Sequence, residues 1–200
     1  MTSIFKRYAD GGTSDLHIHM PQRLLPTTVS HCPLEVLVGH WEKYLVDPSS
    51  VREQFPWAAR FVMGTPVPSW ARGLEWNLGQ KSRFISAVWS GGDLGSYLTN
   101  DWYEPVIGSR ALAENSEIAI DGQQRLHSLE EYLLDRLAIP DAQGQPRIWS
   151  KLGNGERRRF LSTIFAHARV SSGEEVALRK TYYLCAQEVV SRSFDQRTFR

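Results

Sequence analysis

The chain has few cysteines and no long apolar run. Its two cysteines, Cys32 and Cys185, lie far apart and have no paired Cys or His neighbours, which excludes a disulfide framework and a zinc motif. Both are expected to be reduced and structural. No apolar stretch approaches the roughly 20 residues that span a bilayer, and the first residues lack the apolar core of a signal peptide. We therefore expect no membrane insertion and a cytoplasmic location.

An excess of one charge is also missing. The chain carries 23 Lys and Arg against 22 Asp and Glu, a formal net charge of +1. This balance predicts no general attraction to nucleic acid, although a local basic groove can still form. Its 200 residues, 42% of them hydrophobic, are enough to bury one sizeable core. Repeats and low-complexity tracts are absent from the sequence, and a single domain is expected.

The first part of the chain predicts an arm followed by a helix. Residues 1 to 33 are polar and interrupted by proline, with a short alternation at 16–20 that is typical of an edge strand. Residues 34 to 200 are expected to form the single domain. An amphipathic helix ending at Asp47-Pro48 is predicted by apolar residues at helical spacing: Leu34, Leu37, Val38, Trp41 and Leu45.

The remaining elements predict an α+β fold. Four prolines between residues 48 and 70 indicate short pieces joined by turns. A helix is predicted over 78–89, then strands over 94–99, 102–107 and 117–120, then a helix that starts within 123–125 and ends before Pro140. Two further helices are predicted, around 156–168 and after Ser172. The expected architecture is a small sheet packed with helices, with a helical carboxy-terminal part.

The segment from Glu117 to Leu129 has the pattern of an anion-binding site. A strand, an Asp121-Gly122 turn and a helix follow one another, and the backbone N–H groups of a helix start are unpaired and carry partial positive charge. Gly122 is expected to permit close approach of a phosphate, and Arg125 supplies a permanent bidentate cation. Neutral donors to phosphate or ribose are expected from Gln123, Gln124 and Ser128.

Two neighbours of Arg125 have less defined roles. Because Asp121 repels a bare phosphate, it is expected to coordinate Mg²⁺, to orient Arg125 or to polarise a water, and the sequence does not rank these roles. His127 is a candidate for proton transfer. The spacing alone fits an ordinary capped turn with a surface arginine equally well.

The pentad, residues Asp121 to Arg125, resembles the Asp-Gly-Gln-Gln-Arg signature of a bacterial family in the ParB/sulfiredoxin superfamily. The resemblance extends from about Arg72 to Phe165. An Arg-x-x-x-Trp segment, a Gln and a helix ending in Gly are similar to Arg72, Trp76, Gln80 and the run 84–91. The resemblance implies a ParB/sulfiredoxin-like fold and a nucleotide site at the pentad, with Arg72, Trp76 and Gln80 converging on it.

This family includes the GmrSD-type restriction proteins, in which the segment is associated with nucleotide binding and hydrolysis and some members cleave DNA. The resemblance therefore implies hydrolysis of ATP or another nucleoside triphosphate with Mg²⁺, and DNA as a second partner. Gly73, Leu74 and Glu75 depart from the family pattern after the first arginine. Glu75 is at most an added metal ligand, since a surface acid is commoner. A sulfiredoxin-like role is disfavoured because the motif has no cysteine.

A second basic run, Gly155-Glu-Arg-Arg-Arg159, resembles the phosphate motif of ParB proteins. Its position in the fold is already filled by the pentad, so a helix start with a solvated basic face is favoured. Arg157, Arg158 and Arg159 are nevertheless the best candidates for contact with DNA, with further basic residues nearby in sequence: Arg147, Lys151 and Arg169.

Three biological roles remain open at this point. Small plasmid-borne members of the superfamily, the Osa-type fertility inhibitors, block transfer of a competing element's DNA, and the length of this chain suits that context. A second role is an interaction protein that blocks a secretion or conjugation partner. A third is a nucleotide-dependent DNA-binding switch, although no helix-turn-helix segment is recognisable.

Overall fold

The computed structural model describes residues 24–195, with side chains through residue 185. A four-stranded mixed sheet forms its centre, in the order β1-β8-β4-β5. Strand β8 pairs antiparallel with β1 and parallel with β4, while β4 and β5 are antiparallel. The strands are β1 (Thr28–Pro33), β4 (Ser96–Asn100), β5 (Ala119–Asp121) and β8 (Ile164–Val170). The domain is therefore mixed α and β, as the sequence predicts.

Two small hairpins, six α-helices and a short 3-10 helix (Trp149–Lys151) complete the described part of the chain. The hairpins are β2 (Arg60–Val62) with β3 (Thr65–Val67), and β6 (Ile139–Pro140) with β7 (Pro146–Arg147). The helices are α1 (Leu34–Val46), α2 (Pro48–Gln54), α3 (Leu78–Ser90), α4 (Gln123–Leu133), α5 (Asn154–Leu161) and α6 (Glu175–Asp195). Within residues 24–195, every helix is too short or too polar to cross a membrane.

Both of the first two predicted helices are confirmed. Helix α1 buries Leu34, Leu37 and Trp41, the positions of the apolar stripe. In α3, Asn77 and Gln80 exchange backbone-to-side-chain hydrogen bonds of 2.9 Å at the start, which satisfies donors that the helix leaves unpaired. Gly91 ends the helix in the left-handed conformation, which glycine adopts at little cost.

The carboxy-terminal prediction is wrong in part. The helix expected over 156–168 stops at Leu161, and Ile164–Val170 instead forms β8, the strand between β1 and β4. Its alternating burial, with Phe165 buried on one face and Ala168 and Val170 on the other, is the strand period of two. The sequence does not show the alternation typical of a strand, because His167 and Arg169 occupy positions where apolar residues would be expected.

Two other expectations change. Residues 102–107 form no strand, because only an isolated bridge between Pro105 and Leu112 is present. The last six residues of the expected arm, Thr28–Pro33, form β1 and pair with residues 164–169 of β8. The edge strand expected at 16–20 lies outside the described residues.

The sheet is covered on both faces. On one face, the larger core joins α1, α3 and α4 through residues such as Trp41, Phe84 and Leu126. On the other, Leu178 and Tyr182 of α6 pack against Leu98 and Ile120. The start of α4 lies next to the pairing of β4 with β5, so the turn that carries the pentad is held between these two layers.

Candidate functional site

The turn between β5 and α4 depends on glycine at position 122. Gly122 has a φ of +88°, and a Cβ there would lie 2.6 Å from the Cβ of Tyr97. Both facts exclude a larger residue. The expected reason for this glycine was room for phosphate, whereas its contacts in the structure are with β4. The glycine lets the start of α4 approach the sheet closely.

The start of α4 has no side-chain cap. Its first helical bond is donated by the Leu126 N–H to the Gly122 carbonyl oxygen. The preceding N–H groups, those of Gln123, Gln124 and Arg125, have no partner within the helix. No described residue outside the helix accepts from them. These donors, with the positive end of the helix dipole, favour an anion at this point.

Arg125 is held in place by the strands beside it. Its Nη2 donates to Asp121 Oδ2 at 2.8 Å and to the Ser96 carbonyl oxygen. The two charged side chains are 17% and 22% exposed, and Arg125 Nε is buried without a hydrogen-bond partner. Orienting Arg125, one of the three roles expected of Asp121, is therefore compatible with the geometry. Among the described residues, Arg125 Nη1 has no hydrogen-bond acceptor.

The two glutamines of the pentad brace the site. Gln124 Oε1 accepts from the backbone N–H groups of Glu75 and Trp76 at 3.0 and 3.1 Å, and its Nε2 donates to the Gly73 carbonyl oxygen at 2.7 Å. This side chain fixes the loop after Arg72. Gln123 Oε1 accepts from Arg60 at 2.7 Å. Both glutamines are buried, and their side chains are hydrogen-bonded to protein groups.

Arg72 and Trp76 line a cleft together with the pentad. This cleft is lined by Arg72, Trp76, Asp121, Gly122, Gln123, Gln124, Arg125 and Tyr182. Its volume is about 30 Å³. By volume it has room for about two waters. We call this space the pentad cleft.

Other expected site residues lie elsewhere. Gln80 caps α3 through Asn77, and Ser128 is fully buried and donates to the Gln124 carbonyl oxygen at 2.7 Å. Neither lines the pentad cleft. His127 Nδ1 lies 3.3 Å from Glu130 Oε2, away from the cleft. Glu75 enters the site through its backbone N–H only.

The arginines of the second basic run lie on α5. The Arg157 guanidinium lies over the ring of Trp149 and donates to the Ser150 carbonyl oxygen, and Arg159 lies over Trp89 at 5.1 Å. Arg158 is exposed. Of the nearby basic residues, Arg147 pairs with Asp141. Arg169 lies on β8 and is not part of this surface.

The fit of Mg²⁺ to the pentad cleft is poor. Asp121 is the only carboxylate that lines it, and its Oδ2 is neutralised by Arg125. Across the described residues, no three His, Cys, Asp or Glu side chains form a group that could hold a metal. A hard cation prefers several oxygen ligands, so the protein side chains alone do not form a magnesium site here.

Two residues of the site have no signal in the sequence. Arg60 of β2 donates to both Gln123 and the Arg72 carbonyl oxygen, and burial lowers its pKa. Tyr182 of α6 accepts from the Arg72 N–H at 3.2 Å and lines the cleft. Neither belongs to a motif, and each is more than 50 residues from the pentad. Only tertiary packing brings them there.

Comparison with known proteins adds no relative. The chain matches no protein-family model, no curated protein and no solved structure at a significant level.

Proposed function

We propose that the pentad cleft binds the phosphate groups of a nucleoside triphosphate and that the protein hydrolyses it. The observation that carries the proposal is the convergence of two arginines, Arg72 and Arg125, on the uncapped start of α4. The same convergence supports our placing the domain with the pentad-bearing family of ParB/sulfiredoxin-like fold. Arg72 and Arg125 lie more than 50 residues apart in the sequence.

Each cation has a free donor for phosphate. Arg72 is exposed, and its side chain makes no ion pair with a described residue. Arg125 keeps Nη1 available while Asp121 and Ser96 fix its plane. A guanidinium held in this way recognises phosphate oxygens with little loss of side-chain entropy. The negative charge of Asp121 is offset by Arg125, so it does not oppose an anion as a bare carboxylate would.

The small volume of the cleft supports a division of the nucleotide between the cleft and its surroundings. A volume of about 30 Å³ is far below that of a nucleoside site, so only phosphate oxygens are proposed to enter the cleft. The base is proposed to lie outside it. Trp76 lines the cleft, is partly buried and packs on Phe84 at 5.9 Å between ring centroids. Its fixed indole ring offers a stacking surface for the base.

Hydrolysis is the part of the proposal that the family resemblance supplies. Arg125 is placed to neutralise charge that develops on the phosphoryl group. The second carboxylate oxygen of Asp121, which does not bind Arg125, is available to orient an attacking water. Mg²⁺ enters with the nucleotide phosphates and not through protein ligands. DNA is proposed to contact Arg158 and Arg159, which are exposed, and DNA cleavage is the activity that the resemblance implies.

Substitution of Arg72 by Gln tests nucleotide binding. The side chain is exposed, so the fold should be unaffected. Loss of one charge-assisted contact of about 1.5–3 kcal/mol predicts a 10-fold to 150-fold weaker Kd for a fluorescent ATP analogue. The matched control is Arg83→Gln, because Arg83 is an exposed arginine of α3 outside the cleft. Equal affinity of the two variants for the analogue would refute the site.

Substitution of Arg125 by Ala tests hydrolysis. Phosphate release from ATP and from CTP, with Mg²⁺ and plasmid DNA present, should be abolished while circular dichroism keeps its native shape. Retained hydrolysis in Arg125→Ala would exclude the assignment. Nucleotide-dependent retention of DNA without hydrolysis by the wild-type chain supports the switch. A wild-type chain that neither binds nor hydrolyses nucleotide supports the interaction protein.

A further inference from the structure

A second cavity lies between α1 and the sheet, on the face that α1 covers. It has a volume of about 460 Å³ and lies between α1, the α2–β3 region and the neighbouring strands β4 and β8. This volume falls in the range of small-molecule sites, roughly 300–1,000 Å³. The chemistry of the pentad cleft uses none of its charged residues. We call it the inner-face cavity.

The wall formed by the sheet is polar where a helix-covered face is ordinarily apolar. Tyr97 and Thr99 of β4 are paired in register with His167 and Arg169 of β8, so the four residues form one block that lines the cavity. Burying polar side chains under a helix costs free energy unless they are hydrogen-bonded. Apolar residues at these four positions would pack better against α1. Polar residues that replace good packing are typical of functional sites, so the block favours a binding role.

The block is fixed before any ligand arrives. Thr99 Oγ1 lies 2.8 Å from His167 Nε2, and the His167 ring stacks on Tyr97 with 4.3 Å between centroids. Burial lowers the pKa of His167 to about 4, so its imidazole is neutral near pH 7. Burial also raises the pKa of Tyr97 to about 12. Neither ring contributes charge at neutral pH, and the two form a rigid neutral floor.

The charges available to a ligand come from opposite walls. Arg169 of β8 lies 3.7 Å from Asp101, a long ion pair, and its Nε is buried without a hydrogen-bond partner. Lys43 of α1 also lines the cavity and makes no ion pair with a described residue. The unmet donor on Arg169 and the unpaired Lys43 favour an anionic group between them. The carboxylates of Asp101 and Glu117, also in the lining, limit how much negative charge fits.

The rest of the lining is mixed: His40, Gln54 and Asn100 contribute polar side chains, and one part of the wall is apolar. Leu37 of α1, Phe55 after α2 and Pro66 of β3 are buried residues that face the cavity. An apolar wall opposite two cations selects a ligand with a hydrocarbon or aromatic body and one acidic group. A nucleoside triphosphate does not match this wall, because its triphosphate is highly charged and its sugar is polar.

We propose that the inner-face cavity binds a small organic acid, with its carboxylate or phosphate between Arg169 and Lys43 and its apolar body against Leu37, Phe55 and Pro66. The site is separate from the pentad cleft, and it holds whether or not the chain hydrolyses nucleotide.

Ligand-observed NMR with defined probes tests the proposal. The probes are benzoate, octanoate and phenyl phosphate, with benzamide as the neutral match of benzoate. At least one anion should bind with a Kd below about 1 mM, and benzamide at least about 10-fold more weakly than benzoate. Arg169→Gln should weaken binding of the anion about 10-fold or more. Lys43→Gln, an exposed position on α1, gives the same test should Arg169→Gln fail to fold.

Two further variants locate the probe. Val36 is 59% exposed and lines the cavity, so Val36→Trp fills its mouth without entering the core and should abolish binding. Arg83→Gln, at an exposed position of α3 outside the cavity lining, is the matched control and should bind normally. No binding of any anion, equal binding of benzamide and benzoate, or full binding by Val36→Trp would each overturn the proposal. Loss of phenyl phosphate binding in Arg72→Gln alone would place that probe in the pentad cleft instead.

Discussion

Two helix starts in this domain have similar amino-acid sequences but different surroundings. Gly122 and the residues after it open α4, while Gly153 and a Gly-Glu-Arg-Arg-Arg run open α5. At α4, Gln123 and Gln124 are 6% and 8% exposed. At α5, residues 153–156 are all exposed, and Phe160 is the residue that the helix buries.

The difference indicates which of the two glycine- and arginine-containing helix starts can form an anion-binding site. At α4, Arg125 is fixed by Asp121 and a strand carbonyl, and the helix start has no side-chain cap. At α5, the Gly153 N–H donates to Glu156 Oε2 at 3.0 Å, so the protein already satisfies one of the donors that an anion would use. Burial and an open helix start, more than the number of arginines, make α4 the candidate.

The largest expected effect contrasts Gly122→Ala with Gly155→Ala. An alanine Cβ at position 122 would lie 2.6 Å from Tyr97, and the alanine would have to adopt the φ of +88° that Gly122 has. The free energy of unfolding should therefore fall by about 2–5 kcal/mol. A Cβ at position 155 would meet no atom within 4 Å, and the backbone there has no positive φ. Alanine there should stabilise the protein by about 0.5–1 kcal/mol. Urea denaturation of the two variants measures both changes.

Equal stability of these two variants would break the comparison. It would mean that the turn at Gly122 can relax away from β4. The pentad cleft could then not be held in the geometry proposed for phosphate. The nucleotide affinity of Gly155→Ala serves as the control, because it should equal that of the wild-type chain.

The next effect contrasts the side chains that brace each helix start. Gln124→Leu keeps the side-chain volume but leaves two N–H groups and one carbonyl of the 73–76 loop without their partner. Water reaches this exposed loop, so the cost should be about 1–3 kcal/mol. Glu156→Leu removes one exposed cap contact on α5 and should cost about 0.5 kcal/mol.

Amide hydrogen exchange is the sharper measurement for this pair. Gln124→Leu should raise exchange at the backbone N–H groups of Glu75 and Trp76 and should weaken nucleotide binding, because Arg72 precedes that loop. Glu156→Leu should affect only the first turn of α5. Unchanged exchange at Glu75 and Trp76 would show that another contact holds the loop.

Helices α1 and α3 are the predictable part of the fold. The apolar spacing of α1 and α3, and the stop signals Asp47-Pro48 and Gly91, appear directly in the sequence and match the structure. Strand β8 is not predictable in this way because its inward positions include His167 and Arg169, which line a cavity instead of an apolar core. The spacing of apolar residues in the sequence predicts a buried face only where that face is apolar.

The candidate site is predictable in some of its residues and less so in their roles. The pentad, Arg72 and Trp76 lie in one cleft, but the side chains of both glutamines are also hydrogen-bonded to protein groups. Such partners come from segments distant in the sequence. Arg60 and Tyr182 could not be found for the same reason, since neither is marked by a motif and both reach the site through packing of β2 and α6.

The smallest expected effect contrasts two neighbours on α5. Arg159 lies over the Trp89 ring at 5.1 Å, so Arg159→Ala should cost about 0.5–1 kcal/mol and change tryptophan emission. Arg158→Ala should change stability by less than about 0.5 kcal/mol, because the side chain is exposed and has no such contact. If α5 contacts DNA through its surface charge, both variants should weaken DNA retention in a filter-binding assay by similar factors, more so at low salt. A loss of DNA retention confined to Arg159→Ala would instead trace to the packing of Trp89, and α5 would then be a structural helix start with no role in binding.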